Sequence, residues 1–234
     1  MRQAMSGRER VLAAVGHQET DRVPLDLQAT PEAWARLAAH FGTDDTESIL
    51  QGLGVDLRYI MPVNRMPSRR YGDGSYDGPW GNRLRRVANP TGAYEEVAFY
   101  PLDGAMTPEE IEAFEFPDPG IWQDYSEVAA ACRKNGNNAL VGGYASVFYI
   151  PTQLRSMERI LLDMAAAPAM VHALVNKALR YAIAYNEPLL AAGGGRIDFL
   201  HIADDYATQR GLLMSLAMWR EFFREPTRRL VEMA

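Results

Sequence analysis

The sequence predicts an α/β fold organised around a parallel sheet. Two observations carry this. Short apolar runs alternate with longer segments of helical apolar spacing, and most helical segments begin at a recognisable capping signal. A third observation, the dense turn residues between positions 65 and 103, marks an antiparallel β-ribbon inserted into that alternation.

Ser6-Gly-Arg-Glu9 has the form of a capping box, continued at helical spacing by Val11, Leu12 and Val15. Arg22–Leu27 reads as the first buried strand, with Pro24 near its start. Thr30-Pro-Glu32 opens the next helix with a hydroxyl cap, a first-turn proline and an acid at the positive end of the dipole. Val55–Ile60 is the second strand. The ribbon follows, with turns at Tyr71–Tyr76 and Gly78–Asn82 and alternating segments at Leu84–Val87 and Tyr94–Val97. Thr107-Pro-Glu-Glu110 is the clearest helix start in the chain.

Ala139–Tyr144 is the third core strand, running into glycines. Ser156–Met164 is a helix, and Pro168 opens a longer one with Val171, Leu174, Val175, Ala178, Ala182 and Tyr185 on one stripe. Pro188 is expected to kink or end it. Gly193–Gly195 ends a helix and precedes the fourth strand, Ile197–Ile202, so it is not a phosphate loop, which follows a strand and opens a helix. Ser215 caps one final helix carrying Leu216, Trp219, Phe222, Phe223 and Leu230. Four core strands with open edges, and a last helix that stops without a C-terminal cap, lead to the expectation of an incomplete barrel-type domain over residues 1–234.

Composition narrows the function. The 234 residues are 47% hydrophobic and 23% charged, a globular balance, and the net charge of −6 argues against nucleic acid as a partner. No apolar run reaches the roughly 20 residues of a membrane span. The polar stretch Met1–Arg10 has no signal-peptide core behind it. The single cysteine, Cys132, excludes an intramolecular disulfide and a Cys-x-x-Cys metal knuckle, and a reducing cytoplasm is the expected compartment.

Several stretches resemble the uroporphyrinogen decarboxylase superfamily. Ser6–Val15 with His17–Pro24 is similar to that family's entry into its first strand, and Leu53-Gly-Val-Asp-Leu57 to the approach to its second. The most specific likeness is Asp204–Ser215 followed by Met218-Trp-Arg-Glu-Phe-Phe223, which resembles a strand end, loop and helix of methyltransferase-like and uncharacterised members. The resemblance implies a (β/α)8 TIM barrel of which this chain is the first half to two-thirds, with its active site at the C-terminal ends of the strands. It implies one of two activities. One is decarboxylation of a polycarboxylated tetrapyrrole without a cofactor. The other is methyl transfer between a corrinoid carried by a partner protein and a thiol or folate, in many members with zinc. It further implies a homodimer.

The sequence departs from the decarboxylase pattern. Where that family has an Arg-Gln-Ala-Gly-Arg run, this chain reads Gln28-Ala-Thr-Pro31, without the arginines that would pair substrate carboxylates. Its aspartate after the second strand is also missing from Ile60-Met-Pro-Val-Asn64. The methyltransferase reading is therefore preferred. The His-x-Cys pair and later cysteine of the zinc members are absent too, so zinc ligands are expected beyond Ala234 and none within the chain. A non-catalytic fragment is the remaining alternative.

Asp204 and Asp205 follow the fourth strand and are the candidate catalytic pair, as base, hydrogen-bond acceptor or metal ligand; an Asx turn or helix cap is the plain alternative. Gln209 and Arg210 share that loop, either holding an anionic or amide-bearing ligand or lying on the surface. His201 alternates with Ile197 and Phe199 and reads as a ligand contact or a hydrogen-bonded structural histidine. Tyr144 is placed to line a pocket mouth or simply to pack. Asp26 and Gln28 flank the first strand end and are substrate-binding candidates on position alone. The arginines 69, 70, 83, 85 and 86 either guide an acidic partner or form a solvated ribbon face.

Overall fold

The computed structural model describes residues 4–234, and residues 1–3 of the polar N-terminal stretch lie outside the described residues. The chain opens with α1 (Gly7–Val15), where Ser6 Oγ accepts the Glu9 N–H and the Glu9 carboxylate accepts the Ser6 N–H. Then come α2 (Pro31–Phe41), capped by Thr30, and α3 (Thr46–Gly52), capped by Asp45. β1 (Leu57–Ile60) and β2 (Val63–Asn64) precede the ribbon of β3 (Tyr76–Asp77), β4 (Arg83–Asn89) and β5 (Gly92–Phe99). α4 (Pro108–Ala113) carries the Thr107–Glu110 capping box. It is followed by α5 (Pro119–Trp122), β6 (Gln123–Asp124), which pairs antiparallel with β2, and α6 (Val128–Lys134).

β7 (Ala139–Ala145) leads through α7 (Tyr149–Leu154) and α8 (Met157–Ala166) into the long α9 (Pro168–Gly193). β8 (Phe199–Ile202) and a small hairpin of β9 (Ala207–Thr208) and β10 (Gly211–Leu212) precede α10 (Leu216–Phe222) and α11 (Arg224–Met233).

The central sheet is parallel, in the order β1-β7-β8, with Leu57 opposite Ala139 and Val141 opposite Phe199. β7 is the middle strand and almost wholly buried. Against it lies the apolar stripe of α9, with Leu174, Val175, Ala178, Leu179 and Ala182 all out of solvent. Each buried leucine or valine of that stripe contributes roughly 1.5–3 kcal/mol. The stripe therefore holds helix to sheet far more firmly than local propensity could.

Three expectations change. Arg22–Leu27 is not a strand, leaving three core strands where four are expected. Pro24 has no N–H to give, the Leu25 N–H goes to the Asp56 carboxylate, and only the Leu25 carbonyl meets the β1 side of the sheet, through the Asp56 N–H. Val23 and Leu25 stay exposed, so burial does not enforce pairing either. Helix α9 runs through Pro188 to Gly193 and ends at Gly194 in the left-handed conformation (φ 58°). Ala182 and Leu189 are buried on either side of the proline, and that packing outweighs the ~3 kcal/mol disruption. The single last helix is two: at Phe223 φ swings out to −118°, Pro226 cannot donate to the preceding turn, and Phe222 and Phe223 are both buried in the main core. The three parallel strands form no closed barrel among the described residues.

The beginnings of the strands carry a network of paired charges. Asp56, at the entrance to β1, accepts from Arg10 Nη1 (2.5 Å), from both terminal nitrogens of Arg22 (2.7 and 2.8 Å) and from the Leu25 N–H (2.9 Å). Asp21 takes the other edge of the Arg10 guanidinium. At the entrance to β8, Asp198 accepts from Arg8 and from the Leu140 N–H.

Candidate functional site

At the opposite end, where β1, β7 and β8 finish, the side chains are aromatic and largely without ion-pair partners. Tyr144 is delivered there by a distortion of β7. Gly143 sits at φ +67°, and a Cβ on it would lie 1.9 Å from Asn186 Oδ1, so only glycine fits. The buried Asn186 carboxamide accepts the Tyr144 N–H (3.2 Å) and donates to the Tyr144 carbonyl (2.9 Å). The sheet register shifts between Gly142 and Ala145, re-aiming the strand end. The Tyr144 ring stands edge-on to His201 (5.8 Å between centroids) and to Tyr149 (6.5 Å). His201 in turn meets Tyr59 (6.3 Å), and Trp80 from the ribbon turn meets Tyr149 (5.9 Å).

Tyr59 ties in the segment after α1. Its hydroxyl donates to Asp26 (2.7 Å) and accepts from the Gln28 amide. Asp26, Gln28, His201 and Tyr144 thus come together at one end of the sheet, linked through Tyr59.

The two adjacent aspartates have unlike surroundings. Asp204 accepts from the N–H groups of Val147 (3.0 Å), Phe148 (2.9 Å) and Tyr149 (2.8 Å), from the Ser146 hydroxyl and from the Tyr206 hydroxyl (3.0 Å). Its carboxylate is occupied in holding the β7–α7 loop. Asp205 is exposed, and its charge reaches the hydroxyls of Tyr144 and Tyr149. Gln209 and Arg210 are not brought to this cluster; they are exposed at the turn between β9 and β10.

Burial, the neighbouring Tyr149 and the charges of Asp204 and Asp205 push the Tyr144 hydroxyl well above the usual tyrosine range. Tyr149 is raised by burial and then by Glu95, from the ribbon, and Asp205. Both hydroxyls therefore remain protonated donors at neutral pH. Beside them opens a cleft of about 320 Å³, lined by Met61, Pro62, Asn64, Pro79, Trp80, Gln123, Tyr144, Tyr181 and Tyr185. Its walls come from the β1–β2 connection, the ribbon, β6, β7 and α9.

Among the described residues no three His, Cys, Asp or Glu side chains gather to hold a metal ion. Cys132 is buried in α6, beside Arg8 and Arg196 at the strand beginnings, and burial raises its thiol pKa.

Sequence reasoning missed Tyr59, Trp80, Tyr149 and Asn186. Only Asn186 carried a signal, a polar residue in register with the α9 apolar stripe, four places after Ala182. The other three come from separate segments whose meeting no spacing announces.

No helix of the described residues is long and apolar enough to cross a membrane. Among solved structures, the chain is similar to a methyltransferase from Methanosarcina mazei, with a TM-score of 0.60 and 16% identity over 98% of this chain and 67% of that one. That likeness is one of fold. No curated protein sequence matches. The family model for uroporphyrinogen decarboxylase (URO-D) matches residues 101–234, which include β7, α9, β8 and the Asp204–Ser215 loop. With more than half of its sequence matched, the chain belongs to the uroporphyrinogen decarboxylase (URO-D) family.

Proposed function

We propose that this protein is a methyltransferase-like member of the family, moving a methyl group between a corrinoid carried by a partner protein and a thiol or folate. The observation that carries this is the chemistry of the cleft: neutral, rich in tyrosine and lined by no lysine or arginine. A polycarboxylated tetrapyrrole would leave its carboxylates there without cationic partners, at a desolvation cost of several kcal/mol per ion. The fold of the Methanosarcina methyltransferase supports the same reading.

The residues divide the work as follows. Asp205 is the exposed carboxylate beside the tyrosines and takes the proton that a thiol or an N–H acceptor gives up as it is methylated. Tyr144 and Tyr149, held protonated, donate hydrogen bonds that orient the substrate. His201, between Tyr59 and Tyr144, is a further contact, and Asp26 and Gln28 fix Tyr59. Asp204 is a positioning residue for the loop bearing Tyr149. Gln209 and Arg210, on the exposed hairpin, are left to meet the partner protein. No step here passes through zinc. The setting assumed is a cytoplasmic homodimer.

The test is incubation with methylcobalamin and a panel of thiols and tetrahydrofolate, following the corrinoid spectrum. Protein-dependent demethylation coupled to methylation of one acceptor is expected. Stoichiometric binding of a carboxylated porphyrin, with no transfer to any acceptor, would contradict it.

A further inference from the structure

We infer that the cleft is an onium site, shaped to hold the quaternary ammonium head of a small-molecule substrate. The inference rests on the reading above only in taking the cleft as the substrate pocket. Four aromatic side chains, Trp80, Tyr144, Tyr181 and Tyr185, line about 320 Å³, with the rings of Tyr181 and Tyr185 6.3 Å apart and within 23° of parallel. Ring faces carry negative quadrupole charge and attract a cation, most strongly where water is excluded. Tryptophan is the best such platform, and the ribbon turn places Trp80 there beside Tyr149.

The surrounding charges agree. The lining holds no lysine or arginine to repel a cation. The negative charges acting on the adjacent tyrosines are Asp204 and Asp205 at the end of β8 and Glu95 from the ribbon, which also accepts from Tyr76. The lining carbonyl and amide groups of Asn64 and Gln123 are neutral. A primary ammonium would need three hydrogen-bond acceptors when desolvated. A trimethylammonium group needs none and presents methyl groups to its walls, matching a pocket lined by four aromatic rings together with Met61, Pro62 and Pro79. The volume is at the small end of ligand pockets, which run from roughly 300 to 1,000 Å³, and suits a compact head rather than a tetrapyrrole.

The experiment compares choline with its neutral isostere 3,3-dimethyl-1-butanol by calorimetry on the purified chain. Choline is expected to bind roughly tenfold more tightly, the size of a partly desolvated cation–π contribution. Trp80→Leu should abolish that preference and Trp80→Phe, which keeps a ring face, should retain most of it. Circular dichroism melts of both variants establish that they fold. Equal binding of the isostere, no choline binding at all, or a folded Trp80→Leu variant that keeps the preference would overturn the inference. The two readings separate cleanly. Choline binding without methyl-corrinoid demethylation would support the onium cleft and sink the transfer reading, and demethylation without choline binding would do the reverse.

Discussion

The two ends of the parallel sheet are built from opposite materials. Where the strands begin, Arg10, Arg22, Asp21 and Asp56 satisfy one another, and Asp198 is matched by Arg8 and a backbone N–H. Where they finish, Tyr59, His201, Tyr144, Tyr149 and Trp80 form a chain of ring contacts, with Tyr144 and Trp80 lining a neutral cleft and Asp205 left exposed. Completed pairs fix geometry but have no capacity left for a ligand. The other end keeps ring faces, hydroxyl donors and a carboxylate available, as enzymes on parallel α/β scaffolds do at the C-terminal ends of their strands.

Substitutions should separate the two ends. The largest effect is expected at the paired end. Asp56→Ala removes the shared acceptor of two arginines, leaving the buried Arg10 guanidinium without one partner, and should cost about 3–5 kcal/mol in urea unfolding. Next comes Asp204→Ala, which strips the partner from three N–H groups and two hydroxyls and should cost ~2–4 kcal/mol together with most of the proposed methyl transfer. Gly143→Ala follows: the positive φ alone costs roughly 1–2 kcal/mol, before the clash with Asn186, and urea unfolding should show at least that loss. Smallest is Asp205→Ala, expected within about 0.5 kcal/mol of the parent in stability because its side chain is exposed. A large stability loss at Asp205, or none at Asp204, would erase the distinction between the neighbours.

Alkaline pH probes the same contrast. Tyr144, Tyr185 and Tyr206 are raised in the folded state, chiefly by burial. Their contribution to stability is complete below the unfolded tyrosine value of about 10 and is lost as pH rises from there through their folded values. Ultraviolet titration of the phenolates should show a late class of tyrosines that ionises only as the protein unfolds. Normal titration of every tyrosine would show that the cleft is wet.

Much of the scaffold was legible because its signals are local. The Ser6–Glu9 and Thr107–Glu110 boxes, the Thr30 cap and the run Ala139–Tyr144 each announce themselves within a few residues. What failed depended on distant partners. Leu25 gave its N–H to a side chain instead of a strand, and Pro188 was carried by packing on both sides. Phe222 and Phe223 needed a break to bury both rings. At the site, position after a strand and the family resemblance together single out Asp204 and Asp205 as candidates. Neither could show that one carboxylate would be consumed by a loop 57 residues earlier in the chain while the next stayed exposed.

The most direct measurement is the rate of methylcobalamin demethylation by the parent and by Asp205→Ala, with a thiol or tetrahydrofolate as acceptor. Protein-dependent transfer that falls by roughly 100-fold or more in the stably folded variant, in the range of lost general-base catalysis, is the predicted result. Equal rates in the two proteins, or no transfer by the parent with any acceptor, would contradict it.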